Sequence, residues 1–323
     1  MFPGLIDLAS ELLGGVAIAA SDEFFAPKEN LVKPAAPVFI PDKYTDRGKW
    51  MDGWESRRKR TPGHDWCVVR LGVPGLIHAI DVDTSHFLGN FPSHCSLDVS
   101  AAAAPNENDW RTALGKMRLQ GGDHNIFDVV CSHRVTHVRL NIYPDGGVAR
   151  LRVYGEAAPD FAKLKTSTEP VDLASVVNGG RVMASSDEFF GHQSNLIMPG
   201  RPANMGGGWE TRRRRGPGYD WIIVLLGART AIQRVSVETE HYKGNYPDRC
   251  SIDVCDVLHA LAQDLVTGKT RWCELLRESQ LAPDAARLFE TELSPIPTAT
   301  HVRLNIFPDG GISRLRVFGK IVE

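Results

Sequence analysis

The sequence predicts an all-β protein made of two tandem jelly-roll β-sandwiches with short helical insertions. Three observations carry this expectation. Four blocks of sequence occur twice along the chain. Within each copy, short runs alternate apolar and polar residues with the period of two that marks a half-buried strand. Gly- and Pro-containing turns separate those runs and helical composition is scarce, as in a sandwich.

The duplication is read first, because a missed repeat misreads the whole fold. "SDEFFAPKENLV" from Ser21 returns as "SDEFFGHQSNLI" from Ser186. "GWESRRKRTPGHDW" from Gly53 returns as "GWETRRRRGPGYDW" from Gly208, with 10 of 14 positions identical. "IDVDTSHFLGNFPSHCSLDV" from Ile80 matches "VSVETEHYKGNYPDRCSIDV" from Val235. "THVRLNIYPDGGVARLRVYG" from Thr136 matches "THVRLNIFPDGGISRLRVFG" from Thr300 at 16 of 20 positions. A chain of 323 residues accommodates two such domains. The expected organisation is a first repeat over 1–155, a linker over 156–170 rich in Pro, Ser and Thr, and a second repeat over 171–323. The copies differ in length twice. The first carries a Pro-rich stretch between Leu31 and Gly53, and the second a partly helical stretch, "ALAQDLVTGKTRWCELLRESQL", before Thr300.

Each element follows from its local pattern. "LLGGVAIAAS" from Leu12 has the apolar content of a leader core, yet no Lys or Arg precedes it and Asp7 and Glu11 interrupt it. Its counterpart at Asp172 is internal, so folded structure is expected at both places. "WCVVRLG" and "WIIVLLG" read as central strands ending at glycine. "AIDVDTSH" puts Ile80, Val82 and Thr84 on one face, with Asp81 and Asp83 on the other. In "THVRLNIYPDGG", Val138, Leu140 and Ile142 alternate with His137, Arg139 and Asn141; the PDGG turn and "RLRVYG" then predict a hairpin.

Composition excludes some functions. A net charge of −2 gives no electrostatic footprint for nucleic acid or an anionic membrane. No run of about 20 apolar residues is present to span a bilayer. Six cysteines without a CxxC do not form a disulfide framework in a chain this long. P-loop, dinucleotide and nucleophile-elbow motifs are lacking. A cytoplasmic protein acting on a small molecule, without nucleic-acid or membrane partners and assembled as a homo-oligomer, is the default expectation.

Two constellations can carry chemistry. Asp83 precedes His86 at the end of its strand, and Glu238 precedes His241 in the second copy. A carboxylate beside an imidazole can fix its tautomer and raise its basicity. The following Gly-Asn-x-Pro loops place Asn90 and Asn245 nearby; the alternative is that each histidine only braces its loop. In "GWExRR", Glu55 and Glu210 sit beside Arg57, Arg58, Arg212 and Arg213. Each glutamate is either a part-buried general acid or base, or the arginines' ion-pair partner. Guanidinium forks suit a carboxylate ligand. Metal ligands are unknown: His64, His86, His124 and His133 are scattered without HxH or HExxH spacing. Asp22 and Glu23 of SDEFF suit either a calcium loop or a capped turn. No cofactor is required; a divalent ion is possible without support from ligand spacing.

These motifs together, "GWESRRKRTPGHDWCVVRLG", "DVDTSHFLGNFP" and "HVRLNIYPDGGVARLRVYG", resemble the allantoicase family, over nearly the whole chain and in both copies. The resemblance implies tandem sandwiches similar to galactose-binding and discoidin domains. It also implies hydrolysis of allantoate to ureidoglycolate and urea in the allantoin branch of purine degradation. On that reading Glu55, His86, Glu210 and His241 are the acid–base candidates. Arg57, Arg58, Asn90, Arg212, Arg213 and Asn245 would bind substrate, supported by Asp83 and Glu238. The second copy departs at Glu238 and Tyr242, where the first has Asp83 and Phe87. A non-catalytic pair of carbohydrate-binding sandwiches and a related hydrolase of ureido compounds are the alternatives.

Overall fold

The computed structural model describes residues 4–322; positions 1–3 and 323, the outer ends of the two expected repeats, lie outside the described residues. The chain divides into two compact units, Met1–Pro159 and Asp160–Glu323.

The first unit holds β1 (Ile6–Asp7), β2 (Val16–Ala20), β3 (Tyr44–Thr45), β4 (Gly48–Lys49), β5 (Trp54–Glu55), β6 (Asp65–Asp83), β7 (His94–Ser100), β8 (Arg111–Arg118), β9 (His124–Asp128), β10 (Val135–Tyr143), β11 (Gly147–Val148) and β12 (Arg150–Ala157). All ladders are antiparallel; the main eight-stranded sheet is organised on β6, and β3–β4 and β5–β11 form small two-stranded sheets apart from it. The first half of β6 pairs with β2 and β10, and β10 continues to β7 and β8. Its second half pairs with β9 and β12, and β12 continues to β1. One 19-residue strand therefore serves both layers of a jelly-roll sandwich. The changeover lies at Gly72–Gly75, where a Cβ on Gly72 would fall 2.4 Å from the Leu13 carbonyl oxygen.

The core of the unit includes Val138, Leu140 and Ile142 of β10, Ile80 and Val82 of β6 and Leu151 and Val153 of β12, all fully buried. Burying each such side chain is worth about 1.5–3 kcal/mol. The second unit repeats the plan with β13 (Val171–Asp172), β14 (Arg181–Ser185), β15 (Trp209–Glu210), β16 (Asp220–Glu238), β17 (Arg249–Cys255), β18 (Cys273–Gln280), β19 (Ala286–Phe289), β20 (Ala299–Phe307), β21 (Gly311–Ile312) and β22 (Arg314–Ile321). β16 plays the part of β6.

Three local expectations need correction. The strands flanking PDGG form no hairpin: β10 and β12 pair with opposite halves of β6, so the chain crosses between layers at this turn. "WCVVRLG" and "AIDVDTSH" are one strand, because the glycines between them bend β6 without ending it. The polar face of β10 is not solvated. His137 and Asn141 are buried, with the Asn141 amide donating to Ser96 Oγ (3.1 Å) and Asp98 Oδ2 (2.9 Å). Within 156–170, β12 runs on to Ala157 and a helical turn, α1, spans Phe161–Lys165. The partly helical stretch holds α2 (Ala262–Val266), and its "CELLRESQ" is strand β18. Among the described residues, no helix is long and apolar enough to cross a membrane.

Candidate active site

Glu55 sits where three loops meet. It occupies β5, a two-residue strand paired with β11 at the PDGG turn, so Gly147 lies opposite Glu55. On its other side, Glu55 and Ala26 of the SDEFF loop exchange backbone hydrogen bonds (3.1 and 3.3 Å). The preceding Trp54 is fully buried and donates its indole N–H to the Asp22 carbonyl at 2.8 Å. Beneath lies Phe87, also fully buried. A Cβ on Gly147 would fall 2.0 Å from its ring, which is why the turn needs glycine there. A conserved geometry of this kind in both copies, with Glu210, Trp209, Tyr242 and Gly311 in the same places, explains why the Gly-Trp-Glu and PDGG blocks recur together.

The Glu55 carboxylate is 9% exposed as a residue and accepts one hydrogen bond, from Asn90 Nδ2 at 2.7 Å. Burial raises its pKa above the ordinary glutamate value, and the Asn90 amide only partly opposes that. Asn245 holds Glu210 in the same way, at 2.5 Å.

His86 completes the arrangement from the loop after β6. Its Nε2 lies 3.2 Å from the Pro37 carbonyl, and His241 Nε2 lies 3.0 Å from the Pro202 carbonyl. A carbonyl only accepts, so Nε2 carries the proton and Nδ1 of the neutral ring keeps a free lone pair. The partner expected from sequence was the strand carboxylate. Instead Asp83 caps the turn by accepting from the Ser85 N–H (2.8 Å), and Glu238 pairs with Arg316 (2.9 Å). Side chains of a strand end point across the sheet, whereas the histidines have already turned into the loop. Both have left-handed backbones, φ +70° for His86 and +71° for His241. That conformation costs a residue with a Cβ about 1–2 kcal/mol. His86→Gly is therefore expected to melt above His86→Ala while both lose activity; equal melting temperatures would show that the loop relaxes without strain.

Glu55, His86 and Asn90 line one cavity of about 360 Å³, walled by Phe25, Phe39 and Lys49. The Phe39 ring stacks on the imidazole, with centroids 5.7 Å apart. Arg57 and Arg58 do not line it. Arg57 forms a two-pronged ion pair with Asp22 (2.7 and 2.8 Å), which also accepts the Arg57 and Phe24 N–H groups. Burial pushes the Asp22 carboxyl up, but those donors and the guanidinium outweigh it and hold the group below its ordinary value. Arg212 likewise pairs with Asp187 at 3.1 Å. Arg212 and Arg213 line a separate basic concavity of about 350 Å³ with Asp187 and Asp220. SDEFF is thus a capped turn that latches the basic run. Among the described residues, no three His, Cys, Asp or Glu side chains gather as a metal site would require.

Sequence reasoning missed Lys49, Phe39 and the buried pair beneath them. Arg150 is 1% exposed and its Nη2 donates to Asp52 Oδ2 at 2.8 Å. The only sequence signal was indirect: Lys49 and Asp52 lie at the end of the stretch that the second copy lacks.

The family model described as "Allantoicase repeat" matches residues 6–158 and again 171–322. A Burkholderia pseudomallei protein named "Probable allantoicase 2" is 51% identical, covering 98% of this chain and 95% of its own length. A Photobacterium profundum relative, "Probable allantoicase", is 50% identical over 98% of this chain and 97% of its own. The crystal structure of allantoicase from Saccharomyces cerevisiae superposes with a TM-score of 0.79 at 33% identity, covering 98% of this chain and 93% of the other. Two matched repeats and relatives that align nearly end to end place the chain in the allantoicase family.

Proposed function

We propose that this protein hydrolyses allantoate to ureidoglycolate and urea, a step of purine degradation, and that Glu55 and His86 do the proton chemistry. The observation that carries the assignment is the pairing, in one small cavity, of a glutamate whose pKa burial raises and an imidazole with a free Nδ1. A general acid and a general base are what this hydrolysis needs.

Allantoate carries two ureido groups and a carboxylate on one carbon. The lone pair of one ureido nitrogen forms a C=N bond as the other C–N bond breaks. The departing nitrogen takes the breaking pair and a proton from the Glu55 carboxylic acid, leaving as urea. Water then adds to the C=N carbon while His86 Nδ1 takes its proton, giving ureidoglycolate. The proton returns from His86 to Glu55 through solvent, so one water is consumed and the enzyme is restored. Asn90 positions Glu55 through its amide nitrogen and keeps its carbonyl oxygen for a ureido N–H. Glu210, Asn245 and His241 offer the second unit the same groups, while Arg57 and Arg212 act from outside the cavity by latching their loops to Asp22 and Asp187, and Arg58 and Arg213 have no part in the proton transfers. A cytoplasmic homo-oligomer belongs to the same reading.

Urea release from allantoate by the purified chain, before and after exhaustive EDTA treatment, is the test. Release that survives chelation supports proton transfer by side chains. Release that is lost and then restored by a divalent ion would make His86 and Glu55 ligands instead. No release in either condition would overturn the assignment.

A further inference from the structure

We infer that Lys49 is the group that binds the substrate's carboxylate, and that the insertion delivering it makes the first unit the tighter of the two sites for allantoate. The inference rests on the function proposed above and adds to it the residue that selects an anionic substrate.

The two units supply the comparison. Pro37 and Pro202 hold the same histidine, and Gly53 and Gly208 open the same motif. Fifteen residues separate the first pair and five the second. In the second unit those few residues make a tight turn, Met205–Gly207, fastened by the Tyr242 hydroxyl donating to the Met205 carbonyl (2.7 Å). In the first unit the extra length forms the β3–β4 hairpin. Arg47 pins it by donating to the Phe24 carbonyl at 3.0 Å and lying over the Phe24 ring at 5.1 Å. The hairpin covers the Phe24–Phe25 pair, which is 37% and 36% exposed. Phe189 and Phe190, with no hairpin above them, are 59% and 63% exposed.

At the end of that hairpin stands Lys49, the cation among the residues lining the cavity. Its ammonium lies 4.5 Å from the Phe39 ring centroid, and among the described residues it ion-pairs with no carboxylate. Three guanidiniums of this unit are already paired, Arg57 with Asp22, Arg150 with Asp52 and Arg152 with Asp7, and Arg47 is held on the Phe24 carbonyl. Charge balance points the same way. A protonated Glu55 is neutral, so one ammonium matches one substrate carboxylate. The second unit has Lys243 at the position of Leu88, but its ammonium is 3.9 Å from the Asp284 carboxylate, so it already has an anionic partner.

Steady-state kinetics on the intact chain test this. Lys49→Met is expected to raise KM for allantoate about 10–100-fold, the loss of a hydrogen bond between charged groups, and to change kcat far less. Lys49→Arg recovers most of the affinity, and Lys49→Gln behaves as Lys49→Met. Lys243→Met leaves KM unchanged. On the carboxamide of allantoate, which lacks the negative charge, wild type and Lys49→Met perform alike. An unchanged KM in Lys49→Met overturns the inference, as does an equal loss on the acid and the amide, which would make Lys49 a packing group. Wild-type protein that releases no urea from allantoate overturns the functional assignment itself, and this inference with it.

Discussion

Glu55→Gln is expected to lower kcat for urea release by about 10²–10⁴-fold, the range for loss of a positioned acid or base, with KM little changed. Glutamine keeps the shape and still accepts from Asn90 Nδ2, so the change removes a proton and little else. The pH dependence follows from the raised pKa of Glu55. The acid form persists to higher pH than for an ordinary glutamate, so the wild-type rate falls as pH rises through that raised value. The residual rate of Glu55→Gln has no such limb. Stability runs the same way. A carboxyl whose pKa is higher folded than unfolded contributes its full stability below the unfolded value and loses it as pH rises through the folded one. Above that raised value the buried ionised form is a burden on the fold, and glutamine removes it. Glu55→Gln should therefore melt at or above the wild-type temperature, the usual trade between stability and activity. A variant that keeps more than a tenth of wild-type kcat would remove Glu55 from the chemistry.

Much of this was legible in the sequence, for reasons specific to particular residues. The layers were readable because Val138, Leu140 and Ile142 alternate with polar residues, and that period belongs to strands alone. The pairing of Glu55 with Asn90 was reachable only in part. Both lie in repeated motifs, but 35 residues separate them and no local rule brings them together. The PDGG hairpin failed because a turn signal reports chain reversal, not which strands pair. The crossing between layers is set by β6, a strand whose length the glycines at its bend concealed. The arginines misled for a related reason: a basic run announces charge, and the Asp22 that pairs with Arg57 lies 35 positions away. Lys49 was invisible because its meaning comes from what surrounds it. Nothing in "DRGKWMDG" marks one lysine as lining a cavity beside a buried acid.

The largest stability effect is expected one step beneath the cavity, at Asp52→Ala. Arg150 is buried with its charge, and its donors reach Asp52 Oδ2 (2.8 Å), the Asp52 carbonyl (3.0 Å), the Ala149 carbonyl (2.7 Å) and the Ala35 carbonyl (2.9 Å). Removing the carboxylate leaves a buried cation uncompensated, which costs about 3–5 kcal/mol. For a unit of this size that lowers Tm by about 6–20 °C. The second unit shows what the carboxylate replaces. Gly207 stands where Asp52 does, and Arg314 is held by the carbonyls of Asn195, Gly200, Gly207 and Ser313, one more than Arg150 has. Burial pushes the Arg314 guanidinium down from its ordinary value. The additional carbonyl is that of Asn195; Arg150 makes no such bond to the matching Asn30, and the Asp52 carboxylate is its fourth acceptor instead. Asp52 also accepts the Val38 N–H at 3.0 Å, so it ties down the start of the segment that carries Phe39 and Lys49. The variant should thus lose affinity for allantoate along with stability. A double replacement, Asp52→Leu with Arg150→Met, should recover part of the stability, since it removes both charges, but not the affinity. Thermal melts of the three chains read the first effect and KM the second. A Tm for Asp52→Ala within about 2 °C of wild type, less than 1 kcal/mol on the same scale, would mean that carbonyls alone suffice in the first unit too.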